Sequence, residues 1–523
     1  MADNQVILTF GGGLNARRRV VDVALDECVA PSENFDLDPQ FRALNRRKPF
    51  DLVGTAPNGA AVNGFAQLIK QDNSISTLVQ AGGNVYSWDG DTTFSLVGTV
   101  STNAKLRGPR DHNFTVDEYV VITDLNKAEV VKKWDGTTFT DLAHDLGGDF
   151  FAKYARVYFE RILYGNVKTT TDTPHLLVSS AIGDGEDLSN SDRPSSSLGT
   201  DVAWFLPMPD LRPLNGLEGA FGEFLLSTER GRLWRLSGTS AKDFKIEEFH
   251  VGSAVVGEEA IKNIGNDVVM GLVGRIESLK GTLNFGDVEA NDLSLPIAPL
   301  IENVTGWTIE YDRKLQKVFC FPNNQSVLWV LHKNVLNDPE NQLSPWSKWV
   351  TTHDIGFNPT TVMQLVNPLN NQDVVYFGDT AGNIYRLDGE GVQDGGTDDL
   401  TVKRRSRMFA VPEGNTFDVA GWIHYRKLFA STVTIRILGG GVAIYTQEIT
   451  RNLPASTSIA VYGGSHHYGD ATSTYGVSFT GRIHRQDWGA AGQSSHFQVE
   501  VEITGNEDID LEEVGIEFNV AKT

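Results

Sequence analysis

Val85-Tyr-Ser-Trp-Asp-Gly-Asp-Thr-Thr-Phe94 and Val130-Val-Lys-Lys-Trp-Asp-Gly-Thr-Thr-Phe139 are two versions of one phrase, a repeated β-hairpin. Trp88 and Trp134 stand 46 residues apart, the length of a four-stranded propeller blade and too long for most helical repeats. In each copy an alternating strand runs into Asp-Gly, a pair that accepts the positive φ of a tight hairpin turn. The chain then re-emerges through Thr-Thr-Phe as the next strand. Turn chemistry and period point to the same repeat.

Working outward, Glu223 to Gly238 and Val374 to Gly389 share a layout of strand, Gly-centred turn and a strand ending in aromatic-Arg-Leu. Tyr154 to Ser180 and Asp267 to Asp287 hold paired apolar runs. Six blades are therefore expected between about residue 60 and residue 400, with five or seven as the neighbouring counts. Val6 to Phe10 is one good strand that cannot stand alone in water, and it is expected to close the ring by joining the last blade. Beyond a Gly-rich acidic break at Asp388 to Asp399 the texture changes. Thr432 to Ile437, Phe497 to Ile503 and Val514 to Val520 alternate strictly, as the strands of an antiparallel β-sandwich do. The expected class is all-β: an N-terminal extended segment over residues 1–60, a β-propeller over 61–400 and a β-sandwich over 401–523.

Composition agrees. The chain has 523 residues, enough for two or three domains, with 52 glycines and no sustained helical period. Cys28 and Cys320 have no neighbour at metal-ligand or redox spacing and read as buried free thiols. The N-terminus lacks a basic region followed by a long apolar one, and no run approaches a membrane span, so synthesis in a cytoplasm is expected.

Net charge is −22, from 67 acidic against 45 basic residues. Such a balance argues against gripping DNA, which requires clustered Lys and Arg to neutralise phosphates. Eight carboxylates and no Lys or Arg lie between Glu500 and Glu517, among them Glu507, Asp508, Asp510, Glu512 and Glu513. Two basic clusters run against the trend, Arg17-Arg18-Arg19 and Arg46-Arg47-Lys48, and are candidate docking points for an acidic partner.

Phe10-Gly-Gly-Gly-Leu-Asn15, Glu27-Cys-Val-Ala-Pro-Ser-Glu-Asn-Phe-Asp36 and Leu44-Asn-Arg-Arg-Lys-Pro-Phe50 resemble the N-terminal leader of tail nozzle proteins of short-tailed bacteriophages, also called tail tubular or head-to-tail stabilisation proteins. Asn63 to Leu68 with the Trp-Asp-Gly strand is similar to their first blade, and Glu258 to Ser294 to their fifth. A closing sandwich entered through Lys403-Arg-Arg-Ser-Arg407 also suits them. The resemblance implies a virion tail protein without catalytic residues or cofactor. It implies a homo-hexamer forming the distal tube for genome ejection, next to a tail adaptor ring protein and tail fibres or a needle. An acidic lumen, lined by acids such as Glu507 to Glu513, would keep passing DNA centred by like-charge repulsion.

Other chemical signals are weaker than their plain explanations. Gly11-Gly-Gly13 lacks the Gly-Lys-Ser/Thr ending and following helix of a phosphate loop. Asp184 to Asp192 misses the calcium-loop order, and the adjacent His466-His467 diverge on any strand. Trp329, Trp346 and Trp349 suit packing between blades better than a sugar platform. The rival functions are a propeller glycoside hydrolase and a glycan-binding adhesin, each with an accessory sandwich.

Overall fold

The computed structural model describes residues 5–8, 12–37, 44–189, 202–229, 231–239, 243–251, 254–257, 259–265, 267–281, 288–336, 343–387, 389, 393–410, 415–427, 431–439, 445–453, 484–493, 496–504 and 509–522. It is nearly all-β, with 53% strand and 4% helix.

Most of the chain is a β-propeller. Five separate four-stranded sheets and one nine-stranded sheet, itself two blades joined, make seven blades among the described residues, one more than the six expected. Their innermost strands are Val62–Ile69, Leu106–Gly108, Phe151–Tyr158, Leu214–Ala220, Ile261–Asn263, Trp307–Asp312 and Thr361–Val366. Each blade then steps outward through antiparallel hairpins. The first two blades fuse because Leu106–Gly108 pairs in parallel with the inner strand of blade one. Glycine permits that approach: a Cβ on Gly64 would lie 2.3 Å from the Leu106 carbonyl oxygen, and one on Gly108 would lie 2.6 Å from the Ala66 Cβ.

The repeated phrase does what its chemistry predicts, with a wider loop. Asp89 accepts hydrogen bonds from the Asp91 and Thr93 amides, and Asp135 from those of Thr137 and Thr138, so each aspartate organises a loop of four or five residues around a positive-φ glycine. Trp88 then pairs with Phe94 and Trp134 with Phe139 across the hairpin. The blade missed in the sequence is the sixth, Trp307 to Trp349. Its hairpin turns, Arg313 to Gln316 and Asn323 to Val327, contain no glycine, so it lacks the Asp-Gly or Gly-centred turn that marks most of the other blades; its middle strands, Lys317–Pro322 and Leu328–His332, are buried at every position. Trp329, Trp346 and Trp349 are all buried there, which accords with packing.

Ring closure differs from expectation. The last blade, Thr361–Val366, Asp373–Gly378 and Asn383–Arg386, receives its outer strand from Asp51–Thr55. Gln5–Leu8 instead pairs with Ile509–Lys522 near the C-terminus. The first-to-last fastening is present, but the strand beside the propeller entrance provides it.

Two six-stranded sheets combine the remaining strands. In one, the order is Phe35–Leu37, Leu44–Arg46, Ile509–Lys522, Asn415–Lys427, His484–Gln493, with Gln5–Leu8 also on Ile509–Lys522. In the other it is Val29–Glu33, Val402–Arg405, His496–Thr504, Ser431–Gly439, Tyr445–Leu453, with Phe409–Ala410 on His496–Thr504. The leader is thus woven into the C-terminal strands. One apolar cluster runs from Leu14 and Phe35 of the leader through Val433, Ile435 and Val499 to Trp307 and Trp346 of the propeller.

Candidate functional site

Every inner strand of the propeller sends a polar side chain toward the axis: Gln67, Arg107, Arg156, Glu218, Lys262, Glu310 and Gln364, in blade order. The local cause is the period of two. In blade three, Ala155 packs between blades while Arg156 points inward, and in blade six Glu310 lies between the buried Ile309 and Tyr311. The side chains enclose a cavity of about 520 Å3 whose wall draws on all seven blades, adjoined by a smaller one of about 50 Å3 beside Arg107.

Charges here are paired across blades. Arg156 Nε meets Asp111 at 2.7 Å, its Nη2 meets Glu218 at 3.1 Å, and its Nη1 donates to His112 Nε2 at 2.8 Å. Lys262 Nζ sits 2.7 Å from Glu310. Arg107 reaches from blade two to the opposite side of the ring, pairing with Glu259 and lying 3.6 Å from Glu310. Its Nη1 donates to the Val362 carbonyl at 2.6 Å.

These environments shift titrations in opposite directions. Burial pushes the Glu218 carboxyl up, with Arg156 opposing. At Asp111, whose side chain is 47% exposed, desolvation is outweighed by Arg156 and the pKa is lowered. Burial, reinforced by Arg156, brings His112 down to about 3, so it is neutral near pH 7. Its Nδ1 donates to the Val121 carbonyl at 3.0 Å, leaving Nε2 to accept from Arg156. Arg107 is lowered by burial to about 10 and still carries its charge. The arrangement holds fixed donors and acceptors of both signs in a water-sized to ligand-sized space. Among the described residues no group of three or more His, Cys, Asp or Glu is placed to hold a metal.

A second built site is the junction of leader, sixth blade and C-terminal sheets. Glu27, buried, accepts from the Ser344 amide at 2.7 Å and from Asn15 Nδ2 at 2.9 Å. Arg404 donates to the carbonyls of Gly12 and Asp26 and lies over the Phe35 ring. Gly13 passes so close to blade six that a Cβ would lie 2.1 Å from the Trp346 carbonyl oxygen. Glycine here answers a steric demand rather than flexibility. Asp36 pairs with Lys317 and lies 3.3 Å from His332. Burial opposes ionisation of Asp36, but Lys317 and His332 hold its pKa down, while burial brings His332 to about 4. Cys28 and Cys320 are buried free thiols, and burial raises both pKa values.

The sequence-derived candidates divide. Arg17, Arg18 and Arg19 are exposed, with Arg19 on Asp22 at 2.6 Å, and Lys48 is exposed. Arg46 and Arg47 are buried and offer no open surface. Arg47, 1% exposed, forks onto Asp394 at 2.8 and 2.5 Å, donates to Asn34 Oδ1 and the Val350 carbonyl, and lies between Trp349 and Phe357. Asp394 comes from the acidic break, so that segment is partly an internal anchor rather than an open linker. Glu507, Asp508 and His466-His467 lie outside the described residues. Asp510, Glu512 and Glu513 belong to Ile509–Lys522, a strand paired on both sides rather than a loop. Glu500 and Glu502 are held by Arg405 and Arg436, cations that come from neighbouring strands and so escape a count along one segment.

No protein-family model matches this chain, and no curated protein matches it. Solved structures similar to it include the Neurospora crassa Pan2 WD40 domain, at 13% identity and TM-score 0.39, covering 65% of this chain and 95% of that one. YCF48 bound to D1 peptide is similar at 12% identity and TM-score 0.38, covering 68% and 99%. The WD40 domain of Toxoplasma gondii coronin is similar at 9% identity and TM-score 0.39, covering 68% and 88%.

Proposed function

We propose that this chain is a non-enzymatic structural protein of a viral tail, the nozzle through which a short-tailed phage ejects its genome, acting as a homo-hexamer. The observation that carries this reading is a convergence. Four of the stretches on which the family resemblance rests, Gly12 to Asn15, Glu27 to Asp36, Leu44 to Phe50 and Lys403 to Arg407, are separated by up to hundreds of residues yet meet in one hydrogen-bonded junction. Residues that share a task in assembly are expected to be built together in this way.

Two further features support it. Arg107 spans the propeller axis to Glu259 and Glu310, so one subunit offers no passage for a duplex and a conduit has to lie between copies. The acidic balance of −22 suits a wall that repels the polyanion moving past it. In this reading exposed Arg17 to Arg19 and Lys48 contact an adjoining tail ring, and acids on or beside Ile509–Lys522 contribute to the lumen.

Native mass measurement and negative-stain imaging test the proposal, alone and on mixing with the other tail proteins of the same virion. Six-fold rings are expected in at least the mixture. A chain that stays monomeric in every mixture overturns it.

A further inference from the structure

We propose that the axial cavity of the propeller is a carbohydrate-binding site that takes a neutral saccharide unit. This stands apart from the nozzle reading, since it rests on the geometry of one subunit. The volume of about 520 Å3 falls within the range of roughly 300–1,000 Å3 usual for small-ligand sites.

The lining selects the ligand class by exclusion and by fit. Arg156 is matched by Asp111 and Glu218, and Lys262 by Glu310, so at these side chains a phosphate or a metal ion competes with an ion pair already made. Arg110, Arg313 and Asp373 also line the wall, the two arginines at its exposed rim, which makes phosphate the relevant charged control. A hydroxyl can accept from a guanidinium and donate to a carboxylate without disturbing either pair. Gln364 adds an amide Nε2 that is buried in the wall with no partner among the described residues, a donor positioned for a ligand oxygen.

The same wall carries aromatic surface for the apolar face of a sugar ring. Phe224 and Tyr311 line the cavity. Phe224 packs edge-on against Tyr158 at 4.7 Å, and Tyr158 against Phe159 at 4.3 Å, which extends the aromatic surface outward to a ring that is 52% exposed. Phe159 holds φ at +45° and the exposed Phe221 on the next blade holds +57°, a left-handed conformation that bulky residues rarely adopt. Exposed aromatics kept on strained hairpin tips of two adjacent blades mark a recognition surface rather than a packing solution.

Saturation-transfer NMR on the full chain tests this, using methyl glycosides of glucose, galactose and N-acetylglucosamine at millimolar concentrations, with line broadening in the phosphorus NMR spectrum of inorganic phosphate as the charged control. At least one glycoside is expected to bind, and phosphate is not. Gln364→Leu, which removes the amide without breaking a bond seen in the structure, is expected to weaken that glycoside about tenfold. Binding by no glycoside, binding of phosphate in their place, or unchanged affinity in Gln364→Leu overturns the proposal. A density map of the protein with the binding glycoside decides independently of any variant: the sugar on the axis upholds the site, and the sugar elsewhere removes it.

Discussion

Arg47 at the junction and the charged side chains of the axis are both held in polar networks, yet they differ in what is left over. At the junction Arg47 meets two oxygens of Asp394, Asn34 and two backbone carbonyls, with the Trp349 and Phe357 rings beside it. At the axis the ion pairs border an open cavity, and Gln364 Nε2 has no partner among the described residues. Filled polar networks hold structure together, whereas networks with room and spare donors are suited to a ligand. Buried charge alone therefore does not identify a binding site; the space beside it does.

The sharpest test of that contrast is Arg47→Met, which leaves Asp394 buried without its partner. It is expected to cost about 3–5 kcal/mol in denaturant unfolding. The double variant with Asp394→Asn should recover part of the loss, and a single variant within 0.5 kcal/mol of wild type would dissolve the distinction.

Acid titration gives an intermediate effect that reads both regions at once. His112 at the axis, at about 3, and His332 at the junction, at about 4, stay neutral in the folded protein below the ordinary 6.5. As pH falls from about 6.5 toward 4 the unfolded chain takes up protons that the folded one refuses, so stability declines by up to about 1.4 kcal/mol per pH unit for each histidine. The loss from His332 levels off below about 4 and that from His112 below about 3. Glu218 works oppositely, because its raised pKa makes the folded protein hold a proton longer than the unfolded chain. His332→Gln should flatten the slope of stability against pH by one histidine's share, and an unaltered slope would show that burial does not depress its titration.

The smallest effect is expected at the open surface. Arg17→Ala and Arg18→Ala change exposed side chains and should leave stability within about 0.5 kcal/mol, while weakening capture of an adjoining tail ring in a pull-down. Undiminished capture would remove these arginines from the docking surface.

Much of the propeller was legible because blades repeat locally: Trp88-Asp-Gly and Trp134-Asp-Gly mark hairpins within one stretch of chain. The sixth blade was not, since the turns between its strands hold no glycine to punctuate the repeat. The axial site was hidden differently. Arg156 and Glu310 were each visible as a charged residue within an apolar run, but nothing along the chain says that five charged residues and two glutamines share one axis. A charged residue interrupting an inner strand was the available signal.

By itself, then, the sequence determined the all-β class, the blade unit and the acidic balance, since each follows from short-range periodicity or composition. That Asp51–Thr55 closes the ring, that Gln5–Leu8 joins Ile509–Lys522, and that Arg47 is an internal anchor emerges from the folded arrangement alone. The physical reason is separation. A strand's preference for being a strand is set by its own residues, but its partner, and whether a charge meets solvent or a buried carboxylate, is settled by chain hundreds of residues away.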